Sequence, residues 1–144
     1  MKNFTSLQQL LERQCEAYVR LLEIERQKTQ LLTDGKISDL DTLLNKEQAV
    51  LMECTSLENQ RNDICCDMGY DTLGELVCSG NGAEVLEDVF ARMTSVVSGL
   101  KRVNLLNMKL LDTRLQTLKH MSQLMGFETQ TSTYNKNAKT KSSN

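Results

Sequence analysis

Apolar residues recur at three- and four-residue steps along most of the chain, starting with Phe4, Leu7, Leu11, Cys15, Tyr18 and Leu22 and reaching Leu32. Leu10, Leu21, Ile24 and Leu31 widen this stripe. Spacing near 3.6 residues lays one apolar face along an α-helix, so a helix is predicted over about 3–32. Thr33-Asp34-Gly35 predicts its stop, because Asp and Gly favour turns and glycine accepts the left-handed conformation.

Ser38-Asp39-Leu40-Asp41 reads as the next start, with Ser38 as N-cap and acids in the first turn. Leu40, Leu44, Glu47, Leu51, Cys54, Leu57, Arg61, Ile64 and Met68 then keep nearly the same step, predicting a second helix over about 38–68 that ends at Gly69. The connector between these helices is only about five residues, which predicts an antiparallel hairpin. Four glycines fall between Gly69 and Gly82, where Asp71-Thr72-Leu73 predicts a cap for a short helical turn through Val77. That stretch has neither of the glycine spacings that cradle phosphate, and no strand precedes it, so it reads as a connector.

The third long helix is predicted over about 83–125. A 4–3 spacing threads it through Leu86, Phe90, Met93, Val97, Leu100, Asn104, Asn107, Leu111, Arg114, Leu118, Met121 and Met125. It would extend roughly 60 Å against roughly 45 Å for the second helix. Part of it should therefore lack an intramolecular partner. The pattern ends at Gly126, and the Thr, Ser, Asn and Lys that follow predict a disordered tail over 126–144. The expected fold is all-α: an elongated antiparallel three-helix bundle or coiled coil over 1–125, with one long C-terminal helix and a flexible polar tail.

Composition supports that reading. Proline is absent and glycine numbers only seven, which removes the commonest helix breakers. Aromatics make up 4%, too few for a typical β-sandwich core. With 17 basic and 19 acidic residues the net charge is −2, so no electrostatic footprint for nucleic acid stands out. The five cysteines form no C-x-x-C, and His120 is the lone histidine, which argues against a zinc site and for free buried thiols in a reducing cytosol. No metal or cofactor is expected. The N-terminal segment is amphipathic without the apolar run of a signal peptide, and no stretch is apolar enough to span a membrane. A cytoplasmic protein is expected.

Enzymatic chemistry finds little support. Catalysis needs a titratable pair held in a pocket, and His120 has no evident orienting partner beside Lys119 and Ser122. Interaction chemistry finds more. Around the third helix, Leu106 and Leu110 fall about 120–160° to one side of the seam and Leu105 about 100° to the other. Apolar groups thus cover more of the circumference than one core contact requires, while Asn104 and Asn107 occupy seam positions where Leu would pack better. Two readings fit: the helix is surrounded by neighbours there, or it offers a groove to a partner. Tyr134 is an isolated aromatic in the polar tail, with contact area and a hydroxyl to offer.

Taken in order, these features resemble the FlgN family of flagellar type III export chaperones. The resemblance rests on Leu31-Leu32-Thr33-Asp34-Gly35-Lys36-Ile37-Ser38-Asp39-Leu40, on Leu43-Leu44-Asn45-Lys46-Glu47-Gln48, on Leu57-Glu58-Asn59-Gln60-Arg61, and on Asn104-Leu105-Leu106-Asn107-Met108-Lys109-Leu110-Leu111. The last is similar to the family's Asn-x-x-Asn-x-x-Leu-Leu pattern. The resemblance implies a non-enzymatic, ATP-free helical protein that binds the amphipathic C-terminal regions of hook–filament junction proteins, keeps them unassembled and delivers them to the export gate. It implies that the final helix holds the client. The expected contacts are Val103, Asn104, Leu105, Leu106, Asn107, Leu110, Leu111, Leu118, Met121 and Leu124. It also implies that Tyr134 docks on the cytoplasmic domain of the gate's large membrane subunit, although Ala138 stands where many relatives have glycine. The alternative is a coiled-coil structural or adaptor protein that self-associates through the third helix. A homodimer of the client-free protein is left open.

Overall fold

The computed structural model describes residues 4–80 and 83–126, and every regular element among them is helical. The order is α1 (Phe4–Asp34), a 3-10 turn (Ile37–Asp39), α2 (Leu40–Asp67), the short α3 (Leu73–Cys78), a second 3-10 turn (Ala83–Leu86) and α4 (Glu87–Leu124). The three long predicted helices are α1, α2 and α4.

Helix ends follow from local chemistry. At the end of α1, Gly35 sits at φ 74°, and the Lys36 N–H donates back to the Leu31 carbonyl at 2.9 Å. That is a Schellman closure, open to glycine because it lacks a Cβ. The end of α2 repeats it, with Gly69 at φ 88° and the Tyr70 N–H donating to the Cys65 carbonyl at 2.9 Å. Thr72 caps α3 as expected, its hydroxyl accepting from the Glu75 N–H at 3.1 Å.

The start of α2 differs from expectation. Ser38 lies inside the 3-10 turn, and the N-cap position falls to Asp39, already in helical conformation at φ −86° and ψ −8°, without a side-chain cap bond. The turn feeds its last residue straight into the helix, so no extended residue is left to bend a side chain back over the first turn.

The chain divides into two units, 1–107 and 108–144. In the first unit the side-chain pairs define the topology. Tyr18 meets Glu58, Arg20 meets Glu53 and Lys28 meets Glu47, so α1 and α2 are antiparallel. Glu12 meets Arg92 and Glu25 meets Asn107, so this part of α4 runs parallel to α1. The apolar core gathers Leu7 and Leu11 of α1, Leu57 of α2, Leu76 of α3, Leu86 of the second turn and Val89 of α4, all essentially inaccessible to water. Each such side chain contributes about 1.5–3 kcal/mol by leaving water. Toward the other end of α1 the packing turns polar at Glu25, Lys28, Glu47 and Asn107.

The described part of the second unit, residues 108–126, contains the last turns of α4 and no buried residue. The predicted tail beyond Gly126, with Tyr134, lies outside the described residues.

Candidate protein-interaction face

In the second unit the 4–3 step places Met108, Leu111, Leu115, Leu118 and Met125 in one row along α4 and its final turn, with Ser122 filling the remaining step. All five apolar members are exposed, Leu115 at 65% and Leu118 at 58%. Met121 adds further exposed apolar surface beside the row, while Leu124 is exposed on nearly the opposite side of the helix. Polar groups nearby do nothing to cover it: the Thr113 and Thr117 hydroxyls bond back to the helix carbonyls of Lys109 and Thr113 at 2.9 Å, and Gln116 donates to Asp112 at 3.0 Å. A contiguous apolar strip in water loses solvation free energy at about 25 cal/mol per Å², and burying it is what a partner would supply.

In the first unit, Leu105 and Leu106 are also exposed, at 53% and 45%. Val103 is half-buried and Asn104 is exposed. Among the residues expected to hold a client, Leu105, Leu106, Leu111, Leu118, Met121 and Leu124 therefore have accessible apolar surface, while Val103 and Leu110 are half-covered.

Asn107 is placed differently. It is 2% exposed, and its amide is committed within the protein. Nδ2 donates to the Glu25 carbonyl oxygen at 3.0 Å and to Glu25 Oε2 at 2.9 Å, while Oδ1 accepts from the Thr29 hydroxyl. A polar residue on a helix seam can either fix register or offer its amide to a guest backbone. The geometry found is the former: a buried amide whose three bonds are all satisfied by α1.

Lys28 and Glu47 complete this polar layer. The Lys28 ammonium bonds to Glu47 and, at 3.2 Å, to Glu25. Burial pushes the Glu25 carboxyl up, but hydrogen bonds from Glu47 and Asn107 and the charge of Lys28 outweigh it and hold the group below its ordinary value. Burial and the neighbouring Glu25 carboxyl push Glu47 above its ordinary value. Burial pulls Lys28 down, yet the two carboxylates more than compensate and leave it raised. A shallow groove of about 350 Å³ lies alongside, walled by Leu21, Leu51 and Leu100, with the charged layer and Lys101 at its edges.

Met108, Leu115 and Met125 were not among the residues expected to hold a client. The signal was present: the same 4–3 spacing started at Met108 rather than Asn107 gives the exposed row. The two rows share Leu111, Leu118 and Met125, so the sequence period alone does not choose between them.

A family model described as FlgN protein matches residues 1–142. The chain belongs to the FlgN family. FlgN proteins are flagellar export chaperones rather than known enzymes, which accords with a helical molecule whose distinctive surface is an apolar strip. An uncharacterized protein of Bacillus subtilis (strain 168), YvyG, is 31% identical over 112 residues, covering 74% of this chain and 70% of that protein. No solved structure matches. Among the described residues of this FlgN chain, no helix is long and apolar enough to cross a membrane, and no group of three or more His, Cys, Asp or Glu is placed to hold a metal ion.

Proposed function

We propose that this FlgN protein is a cytoplasmic chaperone that binds the amphipathic C-terminal regions of hook–filament junction proteins, keeps them unassembled and hands them to the export gate. The observation that carries the reading is the exposed row Met108–Leu111–Leu115–Leu118–Met125 on α4. A helical guest would lay its own apolar stripe along this row, the helix-in-groove mode of recognition. Met121 extends the apolar surface available to it. Asn107 acts from inside by keeping α4 seated on α1, and contributes no surface to the guest. Binding energy comes from burying apolar area, so capture is reversible and needs no ATP and no catalytic step. Delivery to the gate is assigned to Tyr134 of the tail, on the family resemblance.

Co-expression tests the reading. C-terminal segments of the junction proteins should copurify with this chain at one to one, and the complex should form at the expense of any homo-oligomer. A chain that recovers no junction-protein segment and instead forms a stable oligomer through α4 would establish the adaptor alternative. Truncation before Tyr134 should leave that complex intact and reduce export; export at the full rate would remove the tail from the mechanism.

A further inference from the structure

The two units differ sharply in charge. Residues 1–107 carry 11 Lys and Arg against 17 Asp and Glu, a net of −6, whereas residues 108–144 carry six against two, a net of +4. The exposed apolar row lies wholly in the cationic unit. Among residues 108–126 the charged groups are Lys109, Arg114 and Lys119 against Asp112 alone.

Position matters more than the count. At 100° per residue, Arg114 and Lys119 fall about 60–80° to either side of the row, one along each border. Asp112 lies further round on the Lys119 side and accepts a hydrogen bond from Gln116. Lys109 faces nearly opposite the row and adds only to the general field. A guest helix seated on the row would bring its own border residues over Arg114 and Lys119. Acidic borders would meet cations there, whereas basic borders would meet like charge at a partly desolvated contact.

We propose that the occupant of this face is an amphipathic helix of about five turns whose apolar stripe is bordered by Asp or Glu. The length follows from the row, which spans about 26 Å from Met108 to Met125 at 1.5 Å per residue. The inference rests on the chaperone reading and adds to it the chemistry of the partner. An anionic lipid surface would also attract cations beside an apolar strip. The protein side disfavours it: three cations are few for an interfacial helix, Asp112 interrupts them, and the chain as a whole is at −2.

The experiment uses the full chain and two labelled synthetic peptides of about 18 residues, sized to the row. Their leucine stripes are identical, and their border positions are all Glu in one and all Lys in the other. Fluorescence anisotropy should show the Glu peptide binding about ten-fold tighter at roughly 0.05 M salt, with the advantage falling to about two-fold at roughly 0.5 M as screening grows. The double substitution Arg114→Glu with Lys119→Glu should reverse the preference, and Leu115→Asp should remove binding of both peptides. Equal binding, or tighter binding of the Lys peptide, overturns the acidic border while leaving the apolar face in place. Failure of both peptides to bind overturns the face and this inference together. Phosphatidylglycerol vesicles form a further arm: displacement of the Glu peptide by vesicles would assign the face to lipid and overturn the proposal.

Discussion

The Asn107 side chain donates to both the main-chain carbonyl and the carboxylate of Glu25, at 3.0 and 2.9 Å. These residues lie 82 positions apart, and their pairing fixes where along α1 this stretch of α4 is seated. No other side chain of comparable size could satisfy all three bonds. Leucine would pack but leave a buried carboxylate short of a donor, and aspartate would set a second negative charge against the first.

Asn107→Ala should therefore destabilise the protein by about 1–3 kcal/mol, the cost of stripping the amide donor from a buried carboxylate that still keeps Lys28. Urea unfolding followed by circular dichroism measures this. A loss under about 0.5 kcal/mol would mean that water replaces the amide freely and that the layer is not a register device.

The same layer makes stability depend on pH in two opposed ways. Glu25 has a folded pKa below its unfolded value, so it contributes stability present above the unfolded value and lost as pH falls through the folded one. Glu47 has a folded pKa above its unfolded value, so its ionisation weakens the fold at neutral pH, and that penalty is relieved as pH falls through the raised value. The unfolding midpoint should rise as pH is lowered from neutral and fall again in stronger acid. Glu47→Gln imitates the protonated carboxyl and should abolish the rise while keeping the acid limb. A rise that survives the substitution would place its origin elsewhere.

Much of the architecture was legible because it depends on local chemistry. Gly35 and Gly69 end helices because only a residue without Cβ adopts their positive φ comfortably, and Thr72 caps α3 with the hydroxyl its position supplies. The start of α2 was less legible. Ser38 has the right side chain for a cap, but the backbone enters through a 3-10 turn, a tertiary choice invisible to residue preference. The candidate face was half legible. Periodicity put apolar residues on α4 beyond what one contact needs, and Leu105, Leu106, Leu111 and Leu118 are exposed. It could not separate two adjacent rows that share Leu111, Leu118 and Met125. Asn107 itself is taken out of the exposed surface by its inward commitment to Glu25 and Thr29, an interaction between residues about eighty positions apart.

Thiol chemistry provides a test of the first unit independent of any partner. Cys54 is buried, and desolvation, with Glu58 and Glu53 adding to it, pushes its thiol up to about 11. Burial likewise raises Cys15 and Cys65. The thiolate is the reactive form, so these three should be slow toward Ellman's reagent at neutral pH, while exposed Cys66 and Cys78 react promptly. Two fast equivalents and three that appear only at the unfolding rate are expected. Rapid reaction of all five would mean that the α1–α2 seam opens far more readily than its packing implies.

The decisive separation is between surface and core leucines. Leu115 and Leu118 are exposed, whereas Leu57 is 1% exposed within the apolar core. Leu115→Asp and Leu118→Asp should each cost no more than about 0.7 kcal/mol, the difference in helix propensity, because neither side chain loses burial. Leu57→Asp places a charge in the core and should unfold the protein. The combined Leu115→Asp and Leu118→Asp variant should then keep wild-type helicity and thermal midpoint within a few degrees, yet lose the copurifying junction-protein segment. Binding retained by that variant would move the client off the row. Folding lost in it would show that the row is structural, because an interaction face is the part of a helix that can be altered without the protein itself giving way.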